Sequence, residues 1–354
     1  MKILIISLAG IGDTLIATPL IRELRENYPD ATIDALVKEA GAKDLLERNP
    51  NVNRVFYKNL LKCGALERVR FVWSLRRERY QLSINTHPQS RIHYRIAAWL
   101  AGAEVRISHE YECFTWLDRW LVTGTLPQDY TRHSIENNFD ALPLLGAKKK
   151  LGTHSMEFYV DPEDEQFADH FLATSQLIGK KILGIHVGSG GTKNLPLKRW
   201  PLKRFAGLVQ QLNQMRPDIH ILLFGGPEEV KDHPLVLAHA SLELTREAKT
   251  KNLRETAALM KYCSAFLSVD TALMHLAAAL KVPHQIVIEA PTLNATNWPY
   301  GNEFKLVKNP AVNGRGLDYY RYDGGDIKGT REQLIAAMES VTVADVFNAV
   351  TTLI

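Results

Sequence analysis

The chain has 354 residues, of which 45% are hydrophobic and 23% charged. That composition excludes a disordered or fibrous polypeptide, and the length fits about two domains whose cores need neither disulfides nor a structural metal. The formal net charge of +4 is mild but uneven: residues 62–106 hold nine Lys/Arg against three Glu, which suits an acidic partner or a plain solvated helix face.

In chain order, the first signal is Lys2 followed by an apolar run over 3–8. It has the outline of a short signal peptide, but Gly12 and Asp13 stop it too early, so a buried strand is expected. A helix over 14–27 follows, then a strand over 31–37 and another at 82–85. Uninterrupted apolar strands alternating with helices predict a parallel sheet covered on both faces. The pattern restarts with a strand at 181–187, a turn Gly188-Ser189-Gly190-Gly191, a helix over 201–215 and a strand at 219–224. A helix at 252–262, a strand at 265–269, a helix at 271–280 and a strand at 284–288 complete it. Two terminal helices are expected at 331–339 and 344–352. The reading is α/β, with two Rossmann-like, doubly wound domains. The hinge is placed near the end of 148–179, which divides the chain into domains 1–175 and 180–330 followed by 331–354. No apolar run approaches the roughly 18 residues of a spanning helix, and a soluble, cytoplasmic protein is expected.

The three cysteines, Cys63, Cys113 and Cys263, are widely spaced, and the twelve histidines form no metal-binding motif. Reduced thiols and no metal site are expected.

Four constellations could carry chemistry. Gly10-Ile11-Gly12-Asp13-Thr14 follows the first strand, but it lacks the third glycine of a dinucleotide fingerprint. Asp13 by itself fits a helix cap. Gly188-Ser189-Gly190-Gly191 can form an anion nest, and the nearby Lys198 supplies a point charge. Asp270-Thr271-Ala272 opens a helix whose free N–H groups favour a phosphate, with His275 one turn further on. Glu228 and Glu229, after Gly225-Gly226-Pro227, could accept ribose hydroxyls or simply satisfy a helix dipole. All four follow predicted parallel strands at their carboxyl ends, where open α/β sheets bind ligands, and a ligand is expected in a cleft between the two halves.

At these residues the chain resembles glycosyltransferase family 9, the ADP-heptose:lipopolysaccharide heptosyltransferases. The resemblance covers almost the whole length. It includes Gly10-Ile11-Gly12-Asp13, Thr18-Pro19, His133-Ser134-Ile135-Glu136-Asn137-Asn138 and Lys198-Arg199-Trp200-Pro201. It continues through Gly225-Gly226-Pro227, Asp270-Thr271 with His275, Pro291-Thr292 and Pro299-Tyr300-Gly301. It implies a GT-B fold with two domains facing a central cleft and an inverting mechanism that needs no metal or other cofactor. The partners it implies are ADP-heptose, held by the C-terminal half, and a lipopolysaccharide core precursor.

By that resemblance Asp13 is the general base and Lys198 neutralises the departing diphosphate. Gly188, Ser189, Gly190, Gly191, Asp270, Thr271, Ala272 and His275 surround the donor, with Glu228 or Glu229 on its ribose. Gly12, Thr14, Arg76 and Arg77 are expected on the acceptor side, with Trp73, Trp116 and Trp120 either touching lipid or sugar or filling a plain core role. The helices of 331–354 are expected to return to the N-terminal domain, and peripheral contact with the cytoplasmic face of the inner membrane is included. The sequence departs from the family where Ala272 replaces a frequent Gly and Glu289-Ala290 replaces Phe-Gly. The stretch 319–325 also stands in place of a Cys-bearing tail. Glu289 is therefore expected to turn away from the diphosphate or to read sugar hydroxyls. The alternatives are a GT-B enzyme using another nucleotide sugar on a different cell-surface glycan, and a non-catalytic Rossmann-type nucleotide-binding protein. No nucleic-acid-binding module is recognisable.

Overall fold

The computed structural model describes residues 1–59, 63–189, 195–321, 323 and 325–354. They form two compact units, Met1–Tyr159 with Arg321–Gly325, and Val160–Tyr320 with Asp326–Ile354.

The first unit contains β1 (Lys2–Ser7), α1 (Ile11–Asn27), β2 (Thr32–Val37), α2 (Ala40–Leu46), β3 (Arg54–Tyr57) and α3 (Ala65–Arg77). It continues with β4 (Leu82–Asn85), α4 (Ile92–Ala101), β5 (Val105–Glu110), α5 (Trp116–Leu121), β6 (Gly124–Pro127), α6 (Ser134–Phe139) and α7 (Ala141–Leu144). Its six parallel strands are ordered β3-β2-β1-β4-β5-β6. β1 is buried from Ile3 to Ser7, as its continuous apolar run requires at the centre of a sheet covered on both faces. α1 tolerates Pro19 inside it: the Thr18 hydroxyl donates to the Leu15 carbonyl at 2.7 Å, the acceptor that proline's missing N–H leaves unused.

The second unit contains α8 (Pro162–Thr174), β7 (Lys181–His186), a 3₁₀ turn (Leu195–Lys198), α9 (Leu202–Met215), β8 (Ile219–Phe224), α10 (His233–Leu237) and β9 (Thr245–Glu247). Then follow α11 (Leu253–Met260), β10 (Ala265–Ser268), α12 (Ala272–Ala279), β11 (His284–Ile288), β12 (Phe304–Val307), α13 (Gly316–Tyr319), α14 (Arg331–Glu339) and α15 (Val343–Leu353). Its order is β12-β11-β10-β7-β8-β9, again with parallel pairs. Each sheet reverses its winding once, between β1 and β4 in the first unit and between β7 and β10 in the second. Those reversals are where doubly wound sheets open a crevice at the carboxyl ends of the strands.

Three boundaries differ from the sequence reading. The division falls at Tyr159/Val160, not near 175–180. Residues 150–157 are fastened to α1, where Glu23 accepts the N–H groups of Lys150 and Leu151 at 2.8 Å each. α8 instead pairs with α11 and the residues after it, through Asp164–Arg254 at 3.5 Å and Glu165–Lys261 at 2.9 Å. Helices α14 and α15, expected on the first domain, belong to the second unit. Met338, Val341, Val346, Phe347 and Val350 are buried in the second core with α9, and Trp200 donates its indole N–H to the Val341 carbonyl at 3.0 Å. The chain does return to the first unit at Arg321, which pairs with Glu112 at 3.1 Å and lies over the Tyr130 ring. Tyr322 and Gly324 of the 319–325 stretch lie outside the described residues.

Among the described residues no single helix is long and apolar enough to cross a membrane. The apolar character of the bent pair α14–α15 belongs to the second core.

Candidate active site

In the second unit the candidate residues gather at the reversal between β7 and β10. β10 ends at Ser268, so Asp270 and Thr271 stand just beyond a central strand. Thr271, not Asp270, caps α12, its hydroxyl accepting the Met274 N–H at 3.3 Å. Asp270 is thereby free to serve another partner: Lys198 reaches it from the end of the 3₁₀ turn, with Nζ 3.0 Å from Oδ2. The Thr292 hydroxyl donates to the same carboxylate oxygen at 2.5 Å. Both members of the ion pair are buried. Burial alone would raise the Asp270 pKa, but the Lys198 ammonium and the Thr292 hydroxyl hold it below the usual carboxylate range.

Two histidines border this pair. His275 lies one helical turn inside α12, and its side chain leans back towards the helix start. Burial, reinforced by Lys198 and partly offset by Asp270, brings it down to about 4. It is therefore neutral near pH 7. Its Nδ1 is buried with no hydrogen-bond partner among the described residues. His186 closes β7 and meets the Thr271 hydroxyl at 3.2 Å through Nδ1. Burial, followed by Arg199, His233 and Lys198, lowers it to about 3.

The start of the glycine-rich turn is fixed by packing. Gly188 and Ser189 are buried. A Cβ at Gly188 would lie 2.2 Å from Glu229 Cγ, so any other residue there has to displace the Glu229 side chain. Arg199 binds Ser189 twice, with Nη2 donating to the carbonyl at 2.7 Å and Nε to Oγ at 3.1 Å. It also pairs with Glu229 at 3.6 Å and Asp232 at 3.3 Å. Glu229 is thus occupied as a brace: it accepts the Gly226 N–H at 2.9 Å, and burial raises its pKa. Of the two glutamates expected to read a ribose, Glu228 is the exposed one. Ala272 is half-buried in the first turn of α12. Gly190 and Gly191 lie outside the described residues.

Glu289 turns away from this cluster. Its carboxylate accepts the N–H groups of Asn309 at 2.7 Å and Gly314 at 2.6 Å, bracing the loop after β12. Sequence reasoning had not assigned roles to Arg199, Thr292 or His186. Arg199 adjoins Lys198, Thr292 follows β11, and His186 interrupts an apolar strand at its carboxyl end. Position at a strand end is the signal that could have found the last two.

In the first unit Asp13 lies beyond the carboxyl end of β1. The cap of α1 is Gly10, and Asp13 is its third helical residue, accepting the Gly10 N–H at 2.7 Å through Oδ2. A Cβ at Gly10 would stand 3.1 Å from that oxygen, so glycine admits the close approach. Gly12 is buried in the first turn. Thr14 is fully buried, bonded to Ser7 Oγ at 2.9 Å and to the Gly10 carbonyl at 3.1 Å, and so secures the turn from within.

Beyond β4, at the same reversal, the His87 N–H is held by Asn138 at 2.7 Å and its Nδ1 meets the Tyr111 hydroxyl at 3.0 Å. This is what the 133–138 motif does locally: His133 caps α6, Glu136 pairs with Lys149, and Asn138 fixes the β4 turn. Arg76 and Arg77 are not brought to Asp13. They end α3 just before β4 begins, at the amino edge of the sheet. Glu78 there holds Lys2 from the start of β1 at 2.9 Å. Among the described residues no group of three or more His, Cys, Asp or Glu gathers as a metal site.

A sequence model described as glycosyltransferase family 9 (heptosyltransferase) matches residues 68–314. Lipopolysaccharide heptosyltransferase 3 of Escherichia coli is 26% identical over 284 residues, covering 77% of this chain and 78% of that protein. A glycosyl transferase family 9 structure from Veillonella parvula superposes with a TM-score of 0.78 at 21% identity, covering 99% of this chain and 96% of that one. The ADP-heptose lps heptosyltransferase II structure from E. coli superposes at 0.72 and 21% identity, covering 100% and 98%. The superpositions show a shared GT-B fold of two parallel six-stranded sheets.

Proposed function

The chain belongs to glycosyltransferase family 9; from that premise we propose that it transfers heptose from ADP-heptose to the inner core of a lipopolysaccharide precursor, with inversion and without a metal ion. The observation that carries the reading is the buried Lys198–Asp270 pair beside the start of α12. A diphosphate leaving group needs positive charge and aligned N–H donors as its bond breaks. The N–H groups of Ala272 and Leu273, first in α12, have no acceptor within the helix. An ammonium has three donors, and one is engaged by Asp270. Asp270 therefore orients Lys198 without exhausting it. Neutral His275 adds a hydrogen-bonding group rather than a charge. Glu228, exposed beyond β8, is the carboxylate assigned to the ribose.

In the proposed step an acceptor hydroxyl oxygen bonds to the anomeric carbon while the bond from that carbon to the diphosphate oxygen breaks. ADP leaves with the electron pair, and Asp13 takes the hydroxyl proton. A carboxylate offers about four acceptor positions, of which the Gly10 N–H uses one. The names of the relatives favour the heptose donor and the lipopolysaccharide acceptor.

The test is incubation of the purified protein with ADP-heptose and truncated core acceptors, with and without EDTA, followed by mass and anomeric analysis. The expected product gains one heptose of inverted configuration at an undiminished rate in EDTA. Transfer from UDP- or GDP-sugars alone, or loss in EDTA restored by Mg²⁺, overturns the reading. Asp13→Asn is expected to keep its fold and ADP affinity, because Asn can accept the Gly10 N–H. Its turnover is expected to fall by about 10²–10⁴, and near-normal turnover removes Asp13 as the base.

A further inference from the structure

Helices α3, α4 and α5 form one layer on the first unit: α3 packs on α4, and α4 on α5. The inner side of α3 carries Leu75, which is buried in the core with Ala97, Ala98 and Ala101 of α4. Its outer side should be polar, since an amphipathic helix buries only one stripe. Instead Leu66, Val69 and Trp73 recur there at helical spacing, all exposed, Trp73 by 61%. The outer side of the other two helices continues the pattern. Trp99 of α4 and Trp120 of α5 lie 5.6 Å apart, and Trp116 is 79% exposed.

The charge on α3 is predominantly of one sign. α3 carries Arg68, Arg70, Arg76 and Arg77 against Glu67 alone, and Glu67 is itself paired with Lys58. The Arg77 guanidinium lies 4.6 Å over the Trp73 ring. On α5, Arg119 pairs with Glu110.

Tryptophans beside arginines, with aliphatic residues between them, match the boundary between acyl chains and head groups. Indole rings settle at that depth, and basic side chains meet anionic phosphates. We infer that the outer side of α3, α4 and α5 is a docking surface for an anionic phospholipid bilayer, entered by Trp73, Trp116 and Trp120 and held by the arginines of α3. The charge pattern selects this occupant over a second copy of the chain. A two-fold contact sets the same patch against itself, which would bring the arginine rows together, whereas an anionic surface supplies the opposite charge.

The test uses the full chain in co-sedimentation with vesicles of phosphatidylglycerol mixed with phosphatidylcholine, and with vesicles of phosphatidylcholine alone. Two variants accompany it, Trp73→Ser/Trp116→Ser/Trp120→Ser and Arg70→Glu/Arg77→Glu. All substituted side chains are exposed, and thermal unfolding verifies each fold. The expected result is binding to the anionic vesicles that weakens with added salt, and a loss of about tenfold or more in each variant. Brominated acyl chains are expected to quench the wild-type tryptophan fluorescence but not that of the serine variant. Equal binding by wild type and serine variant overturns the inference, as does equal binding to neutral vesicles. A wild-type dimer that the serine variant dissociates also overturns it, in favour of a second copy. Should the serine variant not fold, the charge variant and the quenching of the wild type decide.

Discussion

At the scale of single residues, the chemistry proposed for the Lys198–Asp270 pair is bound up with stability. Lys198 and Asp270 are both buried, and removing one partner of such a pair leaves an uncompensated charge at a cost of about 3–5 kcal/mol. Lys198→Ala is therefore expected to lose both stability in urea and kcat/KM for the donor. Lys198→Ala/Asp270→Ala should regain much of the stability and none of the activity. Recovery of both together would make the pair purely structural. His275 gives a pH signature. Its folded value of about 4 lies below the ordinary 6.5, so on acidification the unfolded chain takes up the proton first. Stability due to the neutral ring is fully present above about pH 6.5 and is lost as pH falls towards 4. Urea unfolding should weaken by about 2 kcal/mol between roughly pH 6.5 and 5 from this group. His275→Gln should show a correspondingly shallower slope, and an unchanged slope would assign the acid sensitivity elsewhere.

At the scale of elements, the central strands were readable and the edges were not. β1, β2, β7, β8, β10 and β11 are apolar runs because each is covered on both faces. β3 (Arg54–Tyr57) is exposed at its ends, β5 alternates Arg106 and Ser108 with apolar residues, and β9 has three residues. None of these carries a continuous signal. Among the candidate residues, position after a strand placed Asp13, Asp270 and Thr271 where the structure has them, beyond the carboxyl ends of β1 and β10. The basic stretch and the acidic acceptor implied by the resemblance drew Arg76 and Arg77 to the acceptor side, and net charge does not specify which end of a sheet a helix terminus occupies. Spacing likewise could not show that Glu229 lies against Gly188, a contact across two loops. That contact is testable. Gly188→Ala should cost about 1–3 kcal/mol by overpacking, because its Cβ meets Glu229 Cγ at 2.2 Å. In Gly188→Ala/Glu229→Ala the overpacking is relieved, so the double variant should be less destabilised than the two single costs together. Strict additivity in urea melts would separate the two residues.

At the scale of the whole molecule, the second unit depends on residues that the family resemblance had assigned to the first. Val346, Phe347 and Val350 of α15 share a core with Leu208, Val209 and Leu212 of α9. A chain ending at residue 330 exposes that side of α9. It is expected to lose nucleotide binding, and limited proteolysis should leave a protected fragment from the first unit while digesting the second. Protection of the second unit instead would place the terminal helices elsewhere. The same arrangement sets a schedule for synthesis. Lys181 opens β7 and Leu353 closes α15, and at about 5–20 residues per second the interval between them is roughly ten to thirty seconds. Through that interval the growing second sheet has no α15 against β11 and β12, and its apolar side chains stay open to holdases and to neighbouring nascent chains. The half that carries Lys198 is therefore the one whose yield is expected to depend on growth temperature and chaperone supply.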